Sequence, residues 1–353
     1  MRGILAVIGK RGSQQGQRID AGAISRHIFG SSAVIAALLF GAAAVVGAET
    51  SEPLAIVNHS PLAANRALPR QRSAFVRQGL SVDLDATVSS HFIEERGSQA
   101  SLFLDGETQT LTLDLRYGLS ERWDLGLTLP HRRHSTGFLD GLINDWHGFF
   151  ALPDGGRSHF PEDVLAYVYD GPDGRFDRQM AARGVAEPTL ETSYALAEEP
   201  GLAVAAVLGV QWERGEPRAL TGSGGLEGFA ALRFSGQHRG DLPLTWHGQL
   251  GYSAAERSEP LSALARSGLW FVGIGVDWQV APRWSLLAQF DGHRAPFDSE
   301  LGALGDHTGL LSLGLRWRAS QRWSLEVGFT EDVLVETAPD VSFFGRLRYR
   351  PGD

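Results

Sequence analysis

Arg-Trp-Ser-Leu stands at residues 283–286 and again at 322–325, and Arg-Trp-Asp-Leu at 122–125. Each copy follows a short polar break: Leu119-Ser120-Glu121, Val280-Ala281-Pro282 or Ala319-Ser320-Gln321. Six residues before each Trp stands another aromatic, giving the pairs Tyr117 and Trp123, Trp278 and Trp284, Trp317 and Trp323. After each Trp the apolar residues fall on every second position, as in Trp123, Leu125, Leu127, Leu129 and in Trp323, Leu325, Val327, Phe329. Before the breaks the same alternation runs through Leu111, Leu113, Leu115, Tyr117 and through Leu311, Leu313, Leu315, Trp317. A period of two is the period of a strand. Each copy therefore marks the turn of an antiparallel hairpin, with two aromatics expected to oppose each other across it. On that register Arg116 opposes Asp124.

Alternation of this kind extends over twelve segments: 80–90, 107–118, 122–131, 187–198, 201–212, 225–237, 242–255, 268–280, 283–293, 307–319, 322–331 and 341–350. Their connections alternate short (near 120, 199, 239, 281 and 320) and long (91–106, 132–186, 213–224, 256–267, 294–306 and 332–340). An even strand count with tight turns at one end and long loops at the other is the pattern of an outer-membrane barrel, all-β, antiparallel and up-and-down. One face of the segments is apolar, for example Val82, Leu84, Val88, Leu202, Val204, Leu208, Trp212, Leu244, Trp246, Leu250, Tyr252, Phe343, Leu347 and Tyr349. The other carries Asp83, Asp85, Asp114, Arg116, Asp124, Glu191, Thr245, His247, Gln249, Arg316, Glu326, Arg346 and Arg348. A polar inner face reads as a wet or ion-paired lumen, and its charged members are the candidates for a constriction. Tyr117, Trp123, Trp278, Trp284, Trp317 and Trp323 read as an interfacial aromatic girdle. Closure requires 341–350 to pair with 80–90, bringing Arg346 and Arg348 to Asp83 and Asp85. The competing architecture is a soluble β-sandwich with the same hairpins.

The 353 residues carry 32 basic and 41 acidic side chains, no cysteine and one lysine, Lys10. Residues 33–46, AVIAALLFGAAAVV, form an apolar run behind Arg18, Arg26 and His27. They read as a secretory signal over 1–48, cleaved after Ala48, the run being shorter than the ~20 apolar residues of a spanning anchor. Its removal takes five basic residues and one acid, leaving 27 basic and 40 acidic residues and a net charge of −13. Such a balance excludes nucleic-acid binding. The missing cysteine excludes disulfides, thiol chemistry and a lipid-bearing cysteine. Residues 49–78 lack alternation and contain Pro53, Pro61 and Pro69. They form an N-terminal arm, either threaded into the lumen or lying at its periplasmic mouth.

The longest loop, 132–186, opens with apolar residues at helical spacing, Phe138, Leu142, Trp146, Phe149 beside Leu139, Ile143, Phe150, which predicts a one-sided helix over 137–150 stopped by Pro153. As a lid this segment would act through Phe138, Asp140, Asp145, Trp146, His147, Asp154 and Arg157, with the helix seated in the barrel mouth. The pieces LDGE (104–107), RYG (116–118), GFLDGLINDWHGFFALPDGGR (137–157) and NHSPLA (58–63) resemble the uncharacterised Gram-negative outer-membrane family defined by domain of unknown function 3187. The likeness extends over residues 53–350. It implies the same fold and an outer-membrane location, and assigns no activity.

Three constellations invite chemistry. His131, His134 and Ser135, with Asp140 or Asp145 as orienter, suggest a lipid-active hydrolase but lack a nucleophile elbow. His131, His134 and His159 make a poor metal set, because residues three apart on a strand face opposite ways. Gly222-Ser223-Gly224-Gly225 has neither the strand nor the helix of a phosphate cradle. No cofactor or metal is expected. Arg132 and Arg133 either hold lipopolysaccharide phosphates or face the loop's acids. The leading expectation is a pore for small polar solutes narrowed by a loop, with a lipid hydrolase and a closed structural barrel as rivals. The expected partners are outer-membrane lipid, lipopolysaccharide and the barrel assembly machinery, both termini being periplasmic. The chain ends in Arg350-Pro351-Gly352-Asp353, where barrels generally carry an aromatic.

Overall fold

A computed structural model describes residues 51–351 apart from 142, 144, 146–156, 239–241, 257–258 and 335–336. The expected signal segment 1–48 and Trp146, His147 and Asp154 of the expected lid lie outside the described residues. The strands are β1 (Gly79–Arg96), β2 (Ser101–Gly118), β3 (Trp123–Ser135), β4 (Ala166–Gly171), β5 (Gly174–Arg178) and β6 (Ala182–Val185). They continue with β7 (Thr189–Glu199), β8 (Leu202–Gln211), β9 (Glu227–Gln237), β10 (Leu244–Ala255) and β11 (Gly268–Ala281). The last four are β12 (Trp284–His293), β13 (Thr308–Arg318), β14 (Trp323–Asp332) and β15 (Val341–Tyr349).

Twelve of them close into one antiparallel barrel. β1 pairs with both β2 and β15, β3 with both β2 and β7, and β7 to β15 follow in chain order. The closing register is the expected one, Asp83 opposite Arg348 and Asp85 opposite Arg346. Alternation sets the faces: Leu84 is 44 % exposed and its neighbour Asp83 only 5 %. Outward Leu, Val, Ile and aromatic side chains stay exposed around the barrel, among them Leu111, Leu208, Leu250, Ile274, Leu313, Val327 and Leu347. A closed wall with an apolar outside satisfies every condition for crossing a bilayer, so this is a transmembrane barrel and not a sandwich.

The six girdle aromatics are all exposed and cluster by the short turns, but their pairing differs from the expectation. Tyr117 faces Leu125 and Trp317 faces Leu325. The aromatics pair with the neighbouring hairpin instead: Trp123 with Tyr194 (4.9 Å between centroids), Trp284 with Trp317 (6.1 Å) and Trp323 with Tyr349 (4.5 Å). The β2–β3 and β13–β14 turns are centred at residues 121 and 321, one residue later than that symmetric pairing, so the partner of each aromatic slides by two. A shift of two keeps each side chain on its face. Arg116 lies opposite Gly126, and its ion pair with Asp124 (3.0 Å) forms diagonally.

Residues 91–106, expected as a loop, are the outer parts of β1 and β2 joined by a tight turn over 97–100. Each of these strands has 18 residues, or roughly 60 Å of chain against an apolar band about 25 Å tall. On this wall the long loop adds strands the sequence reading missed. β4 pairs with Ser101–Asp105 and folds back as β5 through Pro172-Asp173, and β6 pairs with His131–His134. Leu165, Tyr167 and Tyr169 of this segment join Leu102 and Leu104 of β2, Leu220, Leu261, Leu301 and Leu304 of the other loops, and Leu62 of the arm in a buried apolar cluster at the loop end.

The loop helix begins at residue 140, three residues later than expected, with residues 140, 141, 143 and 145 helical. Gly137 adopts φ +86°, and a Cβ there would collide with the Glu107 carboxylate. That carboxylate accepts the backbone N–H groups of Phe138 (2.7 Å) and Leu139 (2.5 Å), capping the first turn. The described part of the helix is outside the barrel, not in its mouth. Leu139 and Ile143 pack on Val88 and Val341, which share the outward face of Leu84 and Phe343. Phe138 is exposed, and so is Asp145. Arg157 fixes the segment there, bonding Ser90 Oγ (2.5 Å), approaching Asp140 (3.4 Å) and Asp340 (3.6 Å), and lying over the Phe92 ring.

Candidate functional site

The lumen is occupied by the arm. Prolines at 53, 61 and 69 deny it a helix, so its backbone polar groups must be met by the wall. Glu227 accepts the Ala67 N–H (2.7 Å) and Ser235 Oγ the Ala74 N–H (2.8 Å). Gln249 donates to Pro69 O (3.0 Å), Gln211 to Asn65 O (2.7 Å) and Arg233 to Arg70 O (3.2 Å). The arm starts beside Asp277 and Arg316 near the short turns and rises to a tight turn over Ser60–Arg66 at the loop end. It then descends to Gly79. There the Gly118 backbone lies so close to Arg77 O that a Cβ would sit 1.8 Å from it.

Three arm arginines enter carboxylates of the wall: Arg66 meets Glu227 (3.0 Å), Arg70 meets Asp85 (2.7 Å), and Arg72 meets both Asp114 and Glu191 (3.0 Å to the latter). The expected lumen residues are all brought together. Asp83 takes Arg348 by two nitrogens (2.9 and 2.7 Å), Asp85 takes Arg346, and Asp124 takes Arg116. Glu326 gathers Arg316 (2.8 Å), Arg346 (3.5 Å) and Arg348 (3.7 Å). In a low-dielectric lumen such pairs offset one another's desolvation cost only when geometry is close, and the guanidinium forks provide it.

The sequence reading missed Arg233, Glu227 and Asp277. Arg233 is fully buried and bonds both oxygens of Glu191 at 3.1 Å. Parity could have found it, since Leu232 and Phe234 beside it point out. The arm's Arg66, Arg70 and Arg72 carried no such signal, because nothing periodic placed them. Apolar wall residues also face inward where the arm turns, Val207, Phe229 and Phe271 packing on Ala67.

At the arm's tip Arg132 bonds Asn65 and Ala64 O (3.0 Å), while Arg133 faces out. Beside it, Glu187 accepts the Ser223 hydroxyl (2.9 Å) and amide and the Gln211 amide (2.7 Å), the same Gln211 nitrogen that holds Asn65. Burial pushes the Glu187 carboxyl up to about 7, with the Glu227 charge adding to the rise and the Ser223 and Gln211 donors opposing it. The hydrolase constellation is not assembled: His134 points inward to Thr108 (3.0 Å), whereas Ser135 points outward to Gln109 (3.2 Å). His131 lies on the face opposite His134, as expected. Among the described residues no group of three or more His, Asp or Glu is arranged to hold a metal ion.

Below the arm, by the short turns, a cavity of about 810 Å³ is lined by the Arg72, Arg77, Arg116, Arg322, Arg348 and Arg350 side chains against Glu52, Asp83 and Asp114. Higher in the lumen the space beside the arm shrinks to about 80 Å³.

The profile of the family described as Protein of unknown function (DUF3187) matches residues 31–350. The chain belongs to that family. Its barrel is similar to that of the COG4313 outer membrane channel from Pseudomonas putida F1, at 15 % identity and a TM-score of 0.49, over 81 % of this chain and 96 % of that one. It is similar also to the NanC porin, at 10 % identity and TM-score 0.44 over 77 % and 100 %, and to the KdgM porin solved in complex with disordered oligogalacturonate, at 8 % identity and TM-score 0.41 over 77 % and 99 %. No curated protein matches the chain.

Proposed function

We propose that this family member is an outer-membrane channel for small polar solutes and that the N-terminal arm is its gate. The observation that carries the reading is the way the lumen is filled. Eight-stranded barrels fill themselves with side chains; here twelve strands enclose a wider polar space, and a separate run of chain occupies it through hydrogen bonds and ion pairs. Contacts of that kind exchange readily with water, so the arm suits a plug that withdraws. In this reading both chain ends are periplasmic, the loops face lipopolysaccharide, and the barrel is exported by a signal over 1–48 and inserted by the barrel assembly machinery. The apolar cluster at the loop end favours a second reading, a closed barrel serving the envelope structurally.

Conductance in planar bilayers separates the two. Ser73 Oγ and Ser235 Oγ are 3.5 Å apart, and the chain has no cysteine of its own. The double variant Ser73→Cys, Ser235→Cys is expected to show no discrete openings when oxidised and to regain them on reduction, and a barrel lacking residues 51–72 is expected to conduct steadily. Openings that ignore the crosslink would remove the arm as gate. Silence in every form, including the arm-deleted one shown to be folded by its heat-dependent gel mobility, would establish the structural reading.

A further inference from the structure

The cavity at the short-turn end has more cationic lining than its own acids neutralise. Asp83 is held by Arg348, Asp114 by Arg72, and Arg116 is turned to Asp124 outside the lining. That leaves Arg322 and Arg350 with Glu52 as the remaining acid of the lining. Glu52 also accepts the Ser73 N–H (3.0 Å) and reaches Arg350 at only 3.5 Å. The Arg350 Nε is buried with no hydrogen-bond acceptor, and among the described residues the Arg322 guanidinium has no ion-pair partner. The two arginines are held as neighbours by the backbone bond from Arg350 N to Arg322 O (2.8 Å). Their side chains therefore border one space from adjoining strand ends.

We propose that this vestibule is a binding site for a small soluble polyanion, a solute carrying two or more carboxylate or phosphate groups. Its volume, about 810 Å³, falls within the roughly 300–1,000 Å³ of small-molecule sites. Guanidinium groups match carboxylate and phosphate by paired N–H donors, and several of them around one cavity favour a ligand with more than one oxyanion over a single chloride. Its walls are the inner faces of β1, β2 and β15, the adjoining turn and the arm, so the ligand comes from solution and not from the lipid outside. Glu52 and Arg72 belong to the arm, which places the ligand against both plug and wall. As the solute class of the pore, the proposal depends on the preceding reading; as a binding site it does not.

The test is equilibrium titration of the intact barrel in a non-ionic maltoside, with citrate and pyrophosphate as separate probes, so that carboxylate and phosphate preference are read apart. Saturable binding is expected at low salt with a Kd of about 1 mM or tighter, weakening as sodium chloride is added. Arg322→Gln and Arg350→Gln should each weaken it about tenfold, while Arg133→Gln, on the outer face at the other end, should leave it unchanged. Arg322 sits in an exposed turn, so its variant keeps the test open if Arg350→Gln folds poorly. Asp353 lies outside the described residues, and binding is therefore measured also in a chain ending at Pro351. Binding confined to that shortened chain, no saturable binding, or equal affinity in the arginine variants would overturn the site. Because no current is measured, its failure leaves the arm-gate result standing, and a silent barrel leaves the binding result standing.

Discussion

At the scale of single residues, the lumen is governed by how many partners each charge has. Glu191 meets three guanidinium groups, Arg233 at 3.1 Å, Arg72 at 3.0 Å and Arg116 at 3.9 Å, one of them from the arm. Removing any one of these arginines leaves the carboxylate served; removing the carboxylate would leave three cations together. Glu187 is the contrary case, a buried carboxylate held by hydroxyl and amide donors, with Arg132 near it but not bonded to it. With the tip docked its carboxyl titrates at about 7, against an ordinary 4.5. The docked form therefore binds more protons than the withdrawn one between these values, and docking weakens as pH rises through that window. Below it the docking contribution is complete, and above about 7 it stays at its lower level. Opening frequency in bilayers should accordingly climb from about pH 5 to about pH 8, and Glu187→Gln, neutral throughout, should flatten the rise. A rise that survives the substitution would assign the titration to another group.

At the scale of elements, the arm takes the first of its two expected places, inside the lumen, and the described part of the loop helix lies outside the barrel and not in its mouth. The helix's apolar stripe needed burial in the barrel mouth or in the outer leaflet, and the sequence favoured the mouth because the helix's acids could pair with the charged lumen. Arg157 decides it: bound to Ser90 and set over Phe92, both on the outward face of β1, it holds the segment to the wall's outside. Deleting residues 137–157 is therefore expected to leave single-channel conductance as it was, while uncovering Val88 and Val341 and lowering the barrel's melting temperature. A larger current would return the helix to the pore. What the sequence made legible was whatever obeyed a period of two: all twelve strands, the Asp83–Arg348 and Asp85–Arg346 closure, the charged lumen, the exposed Trp residues by the turns. The arm was opaque for the opposite reason. Three prolines and no periodicity give no face to Arg66, Arg70 or Arg72, and their partners lie far away in the chain, Glu227 being 161 residues from Arg66. The β4–β5 hairpin was readable in Tyr167-Val168-Tyr169 before Asp170-Gly171-Pro172-Asp173-Gly174, a strand and a tight turn hidden by the length of the loop around them.

At the scale of the whole molecule the two ends are unlike. The short-turn end holds an arginine-lined cavity of about 810 Å³, whereas the loop end holds a buried apolar cluster built from β1, β2, β4 and three further loops. The arm touches both, with Glu52 and Arg72 bordering the cavity and Leu62 packed in the cluster. If the arm moves as a unit it leaves both ends together, because withdrawing the tip pulls Leu62 out of the cluster. The Leu62 side chain has no polar atom and takes no part in the arm's ion pairs, so it isolates this coupling. Truncating a buried Leu to Ala costs about 2–5 kcal/mol, and every 1.4 kcal/mol is about tenfold in an equilibrium. If the docked arm bears that cost, Leu62→Ala should raise the frequency of openings at least about tenfold, with unit conductance unchanged and the arm's ion pairs untouched. Single-channel recording of this variant beside the wild type measures it. Should Leu62→Ala open no more often than the wild type while reduction of the Ser73–Ser235 crosslink still restores current, the apolar cluster and the arm would be separate gates, and the loops would have to part on their own.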